Sequence, residues 1–172
     1  MRNANDIYRR FISFEEQAAA IYMRMASRFS PENPELSALW LDMGIQEKQH
    51  AGLLQFCLAE ELFANQLPSD KEIHDLENLF SGLMKRASDA DLSVKDAFHI
   101  ALEMETSEVN AIYDALTTPL HGSMYLRRRK IAISLPDHLG YLLQEARRFE
   151  VPEESLQELE SRIAKRPHAE EI

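Results

Sequence analysis

Gln46-Glu47-Lys48-Gln49-His50 decides how this chain is read, because two of its five side chains stand where a bundle helix normally buries hydrocarbon. Around it, Leu36, Trp40, Met43, Glu47, His50, Leu54 and Cys57 follow one another at alternating steps of four and three. That spacing is one buried stripe of a helix. Glu and His three apart leave the same face, one turn above the other. An inward Glu-x-x-His is half of what a carboxylate-bridged pair of metal ions asks of one helix. The rest of the chain must supply the other half.

The first helix starts near Asn5 or Asp6, either of which can cap it, and runs to about Phe29. Its stripe is Tyr8, Phe11, Glu15, Ala18, Tyr22, Met25 and Phe29, so Glu15 points inward and Glu16 away. Pro31 and Pro34 separate it from the second helix, which continues to about Ala64. Between Asn65 and Asp91 the rhythm breaks. Pro68 and Ser69 make a turn, and Ile73, Leu76, Phe80 and Leu83 mark a shorter amphipathic helix. A connection this long fits a crossover between two helical hairpins. Ser93 caps a third helix with the stripe Val94, Phe98, Ala101, Glu105, Glu108, Ile112 and Ala115. The fourth, from about Ser123 to Phe149, carries Met124, Arg128, Ile131, Leu135, His138, Leu142, Glu145 and Phe149, with Pro136 kinking or splitting it. Glu153 to Lys165 forms a short polar C-terminal helix. The chain is thus an all-α single domain over residues 1–172: an antiparallel four-helix bundle with a long crossover between helices two and three.

Bulk properties bound the function. At 172 residues the chain builds one good core and is short for two. A formal charge of −10 argues against nucleic acid, since phosphate contacts need Lys and Arg. The single cysteine, Cys57, excludes an internal disulfide and any Cys-x-x-Cys pair, and its place on the stripe assigns it to the core. No stretch reaches membrane-spanning length and the first residues lack the apolar run of a signal peptide, which makes the cytoplasm the default and leaves no role for a membrane.

Glu15, Glu47 with His50, Glu105 with Glu108, and His138 all fall near the middle of their helices, so antiparallel packing brings them to one level. Carboxylates gathered in an apolar bundle suffer desolvation and mutual repulsion. A divalent or trivalent cation removes both penalties, and mixed carboxylate and imidazole ligands suit iron or manganese, with zinc an alternative. Taken singly, each Glu could sit solvated at the edge of its stripe, and each His could be a hydrogen-bonded core residue. The Glu-x-x-His spacing together with the paired inward acids favours metal.

These motifs resemble the ferritin-like superfamily and, within it, the rubrerythrin type of di-iron carboxylate protein. Glu15, Ala18 and Tyr22 resemble the family's Glu-x-x-Ala-x-x-x-Tyr; Glu47-x-x-His50 matches its second-helix motif; Glu105-x-x-Glu108 followed by Tyr113 resembles the third; His138 matches the fourth-helix histidine. The likeness spans roughly Asp6 to Phe149. It implies a ferritin-like bundle in which Glu15, Glu47, His50, Glu105, Glu108 and His138 hold metal, with Glu108 exchanging against His50 as redox state changes. It also implies that Tyr22 and Tyr113 hydrogen-bond ligand carboxylates, although core packing accounts for both rings equally well. Two departures stand out. Where the family has a glutamate three before the fourth-helix histidine, this chain has Leu135, and Leu cannot bridge metals; Asp137 could replace it only if Pro136 re-aims the backbone. There is also no rubredoxin-like cysteine centre, so the chain looks like the bundle alone.

Three functions follow in order. The first is a metal-binding protein of the rubrerythrin type, an oxidoreductase passing electrons from an unidentified donor to hydrogen peroxide or dioxygen if active. The second is a binding or storage bundle without turnover, motivated by Leu135. The third is a scaffold. Met23, Met25, Met43 and Met104 read as core fillers, and Arg127 to Lys130 as a solvated face. The resemblance implies a homodimer, and Trp40, Phe63 and Phe80 are candidates for its surface.

Overall fold

The computed structural model describes residues 3–107, 109–124, 126, 135–152 and 156–157, with the side chains of 135–139 outside that description. Among the described residues every regular element is a helix. Its described helices are α1 (Ala4–Phe29), α2 (Pro34–Ala59), α3 (Asp70–Ala87), α4 (Val94–Glu105), α5 (Val109–Thr117) and α6 (Leu135–Arg148). None is long and apolar enough to cross a membrane.

Local chemistry sets the ends. Asn3, rather than Asn5 or Asp6, caps α1, its Oδ1 accepting from the Asn5 amide at 3.1 Å. Asn33 caps α2 on the Leu36 amide at 3.0 Å, and Pro34 follows in the first turn, where its missing N–H was an orphan in any case. α2 stops at Ala59, short of the expected Ala64. Glu61 turns left-handed (φ 55°), and Leu62 N–H donates to Cys57 O at 2.9 Å, closing the last turn. Ser69 and Glu72 form a reciprocal capping box at the start of α3. Ser93 caps α4 as expected, with the Asp96 amide donating to its Oγ at 3.1 Å.

Contacts fix the helix directions. Glu15 of α1 meets His50 of α2, while Ala26 O accepts from Ser37 Oγ at 2.8 Å, so the two run antiparallel. Gly44 permits their closest approach: a Cβ there would meet Ala19 O at 3.2 Å and Tyr22 Cβ at 3.3 Å. α3 runs parallel to α1, with Arg10 paired to Glu77 and Phe14 stacked on Phe80. The crossover is therefore a packed helix, about 27 Å long at 1.5 Å per residue, that carries the chain back along the bundle. α4 and α5 then descend α1 in the same sense as α2. The Arg28 side chain donates to Ala90 O, Tyr22 to Glu105, and Tyr8 to Leu116 O at 2.6 Å. α6 returns antiparallel to α4, its C-terminal end placed by the Arg148–Glu35 pair and by Phe149 against Phe98.

All seven stripe residues of the first helix and all seven of the second are buried. Past Glu105 the third-helix stripe keeps Ile112 buried but not Ala115, and Glu108 lies outside the described residues. Thr106 and Ser107 interrupt the helix, and the buried set restarts as Val109, Ile112, Tyr113 and Leu116, leaving Ala115 exposed. Polar side chains take over the broken turn. Thr106 Oγ1 donates to Leu102 O and Ser107 Oγ to Met104 O, both at 2.6 Å, and Val109 N–H turns to Ser107 Oγ. Trp40 and Phe80 are core residues with no exposed surface, and Phe63 is half-buried against Tyr8. The expected dimer surface does not use Trp40 or Phe80. Pro136 lies in the first turn of α6 as described, a position that tolerates proline. The Arg127 to Lys130 run and most of the Glu153 to Lys165 helix lie outside the described residues.

Candidate metal centre

α1 and α2 present Glu15, Glu47 and His50 to one another at mid-height. One ligand atom from each lies within 4.8 Å of the other two, and all three residues are buried. His50 Nδ1 faces both acids, 2.8 Å from Glu47 Oε2 and 3.7 Å from Glu15 Oε2. Burial pushes the Glu47 carboxyl up to about 8, an effect that His50 partly offsets and that Glu105 and Glu15 reinforce. For His50, burial favours the neutral ring, but the Glu47 and Glu15 carboxylates prevail and hold the imidazole protonated well above its ordinary range. The trio thus retains a proton between Glu47 and His50. Glu15 Oε1 is buried and accepts no hydrogen bond among the described residues.

Glu105 approaches from the end of α4. It is buried and close enough to Glu47 to act on its ionisation, but it stands outside the compact trio. Its carboxylate is held by neutral donors: Tyr22 Oη at 2.7 Å on Oε1 and Asn110 Nδ2 at 3.1 Å on Oε2. Asn110 also donates to Glu105 O at 3.0 Å, filling one carbonyl that the helix break leaves open. Burial, then Glu105 and Glu47, raise the Tyr22 hydroxyl well above its ordinary value, so it stays a donor. Tyr113 is buried with its ring tilted 39° against His50 at 4.7 Å, packing on the imidazole face.

Of the six expected ligands, Glu15, Glu47 and His50 come together, and Glu105 borders them. Glu108 lies outside the described residues, as do the side chains of His138, Leu135 and Asp137. Asn110 escaped the sequence reading. Its signal was an amide five residues after an inward glutamate, just past two hydroxyl residues that loosen a helix.

The donor set fits a metal. Two carboxylates and an imidazole converge in a dry interior, and an unengaged carboxylate oxygen is what a cation satisfies there. A protein-family model described as Rubrerythrin matches residues 6–116. That segment takes in Glu15, Tyr22, Glu47, His50, Glu105, Glu108 and Tyr113, and stops before Leu135 and His138. Comparison with curated proteins and with solved structures returned no match.

Proposed function

The chain belongs to the rubrerythrin family, and from that premise we propose that it binds iron at the Glu15–Glu47–His50 cluster and reduces hydrogen peroxide or dioxygen there. One observation supports this above the rest: three ionisable groups share a buried space in which Glu15 Oε1 has no donor among the described residues. Glu15 and Glu47 supply carboxylate oxygens and His50 its Nδ1. Glu105 borders a second position, which Glu108 and His138 complete by resemblance. Bound iron supplies electrons to the oxidant.

The residues around it do the positioning. Tyr22 and Asn110 fix the Glu105 carboxylate from both sides, which sets where its lone pairs point. Tyr113 backs the His50 ring. His50 and Glu47 share a proton at 2.8 Å, and both would have to give it up to act as ligands, so metal uptake would release a proton. The neighbours of Glu15, Glu47 and His50 along their stripes, Ala18, Met43 and Leu54, are buried, so the interior above and below the cluster is apolar. Manganese or zinc would use the same ligands. The electron donor is an unidentified reductant, and the chain is proposed to work in the cytoplasm as a homodimer.

Anaerobic loading with Fe(II), followed by addition of hydrogen peroxide, tests the reading. Stoichiometric iron and its rapid oxidation with loss of peroxide are expected. Substoichiometric iron and no peroxide consumption would reject it.

Leu135 favours a second reading, a metal-binding bundle without turnover. Where the resemblance places a bridging carboxylate this chain has hydrocarbon, so one metal position has a poorer ligand set. Leu135→Glu then raises metal content and turns on peroxide consumption; unchanged metal content rules this reading out.

A further inference from the structure

We propose that Trp40 and Tyr22 form a two-ring electron relay into the carboxylate cluster, an inference that rests on the redox reading above. The two rings lie nearly parallel, 14° between planes and 6.0 Å between centroids. Tyr22 Oη in turn donates to Glu105 Oε1 at 2.7 Å. Both rings are fully buried, and Phe98 meets the indole edge-on at 4.9 Å. The outer end is near solvent. Leu41, the next residue of α2, is 46% exposed, so the indole is within about one helix diameter, 10–12 Å, of the surface. Core packing alone asks for two large rings; it does not ask that one carry a hydroxyl aimed at a carboxylate of the site.

The step balances in protons and electrons. When metal oxidised by peroxide draws an electron from Tyr22, the O–H bond breaks and its proton passes to the Glu105 carboxylate. Trp40 then gives one electron across the stacked rings, and the proton returns from Glu105 to the Tyr22 oxygen. The indole is left one electron short. It keeps its Nε1 proton, because that N–H is buried with no acceptor among the described residues. A one-electron reductant at the surface refills it, and two such passages supply the electrons that one peroxide consumes.

Trp40 is the single tryptophan in the sequence, so any indole radical reports on it. Photo-ionisation of the metal-free full chain at the red edge of its absorption, where only indole absorbs, creates that radical in place. The ring-to-ring step then runs in reverse, with Tyr22 giving the electron and passing its proton to Glu105, so decay of the indole radical should be matched by growth of a phenoxyl radical at a rate independent of protein concentration. Tyr22→Phe should slow the decay by an order of magnitude, and Tyr141→Phe should not change it. A decay unaffected by Tyr22→Phe, or wild-type protein forming no phenoxyl radical, would overturn the relay. In iron-loaded protein freeze-quenched with hydrogen peroxide in the presence of ascorbate, a one-electron reductant that refills the indole, Trp40→Phe should lengthen the life of the Tyr22 radical by a similar factor, and equal lifetimes would count against the proposal. Iron content of the same samples reports separately on the metal reading. A chain that takes up no iron yet transfers charge from Tyr22 to Trp40 loses that reading and keeps the coupling between the rings.

Discussion

Glu15 and Glu105 are buried to the same degree on neighbouring helices, yet Glu105 accepts hydrogen bonds from Tyr22 and Asn110 while Oε1 of Glu15 accepts none among the described residues. The unbroken α1–α2 hairpin brings acids and an imidazole together with too few neutral donors to satisfy them. The interrupted α4–α5 segment uses its break to supply a donor, Asn110, and to borrow another from α1. The first arrangement is incomplete without a cation, and the second is an anion already solvated by protein. The difference assigns binding to the hairpin and alignment to the broken helix.

That contrast can be broken at several places. The largest effect is expected from Glu15→Gln, which keeps the shape and removes the charge. Metal affinity should fall by about a hundredfold or more, at or beyond the upper end of losses seen for outer partners of metal ligands. Retained metal, measured by equilibrium dialysis, would show that the hairpin is not the binding half. Tyr22→Phe should cost less, about 10–100-fold in affinity, because Glu105 keeps its Asn110 contact while losing its orientation. An affinity equal to wild type would make Glu105 a bystander.

Asn110→Ala should act on folding more than on metal. It removes donors from the Glu105 carboxylate and from the backbone carbonyl at the break, at a cost of about 1–3 kcal/mol in denaturant unfolding. If stability is unchanged, water replaces the amide and the break is less sealed than described.

The same contrast explains what could be read in the sequence. In α1 and α2 each stripe position depends on one continuous helix, so steps of three and four place Glu15, Glu47 and His50 correctly from spacing alone. Past Glu105 that logic fails. Thr106, Ser107 and Asn110 offer the backbone side-chain partners and the helix breaks, and of the two positions that steps of three and four allow past Ile112 the solvent takes Ala115 and the core takes Leu116. Trp40 lies on the same buried stripe as Glu47 and His50, and the spacing that turns those two inward also keeps the indole off any dimer surface. The crossover helix was visible in Ile73, Leu76, Phe80 and Leu83, but its packing along α1 depends on contacts distant in sequence, such as Arg10 with Glu77. Nor does a stripe say which acids touch: spacing gave Glu105 the same standing as Glu47, and only the three-dimensional neighbours separate them.

The central claim, that the hairpin acids need a cation, has a signature in pH. Glu47 moves from its ordinary 4.5 to about 8 on folding, and His50 is raised well above 6.5. Together the shifts mean that the folded pair keeps a proton that the unfolded chain releases. Their contribution is complete below about 4.5 for Glu47, and it is lost as pH rises toward about 8. Thermal unfolding of metal-free protein from about pH 5 to about pH 8, alongside Glu47→Gln and repeated with saturating Mn(II), measures this directly. The account predicts that wild type loses stability with rising pH more steeply than Glu47→Gln, and that Mn(II) raises Tm most at the alkaline end, where it replaces the lost proton. Parallel curves for the two proteins, with no displacement by metal, would contradict it.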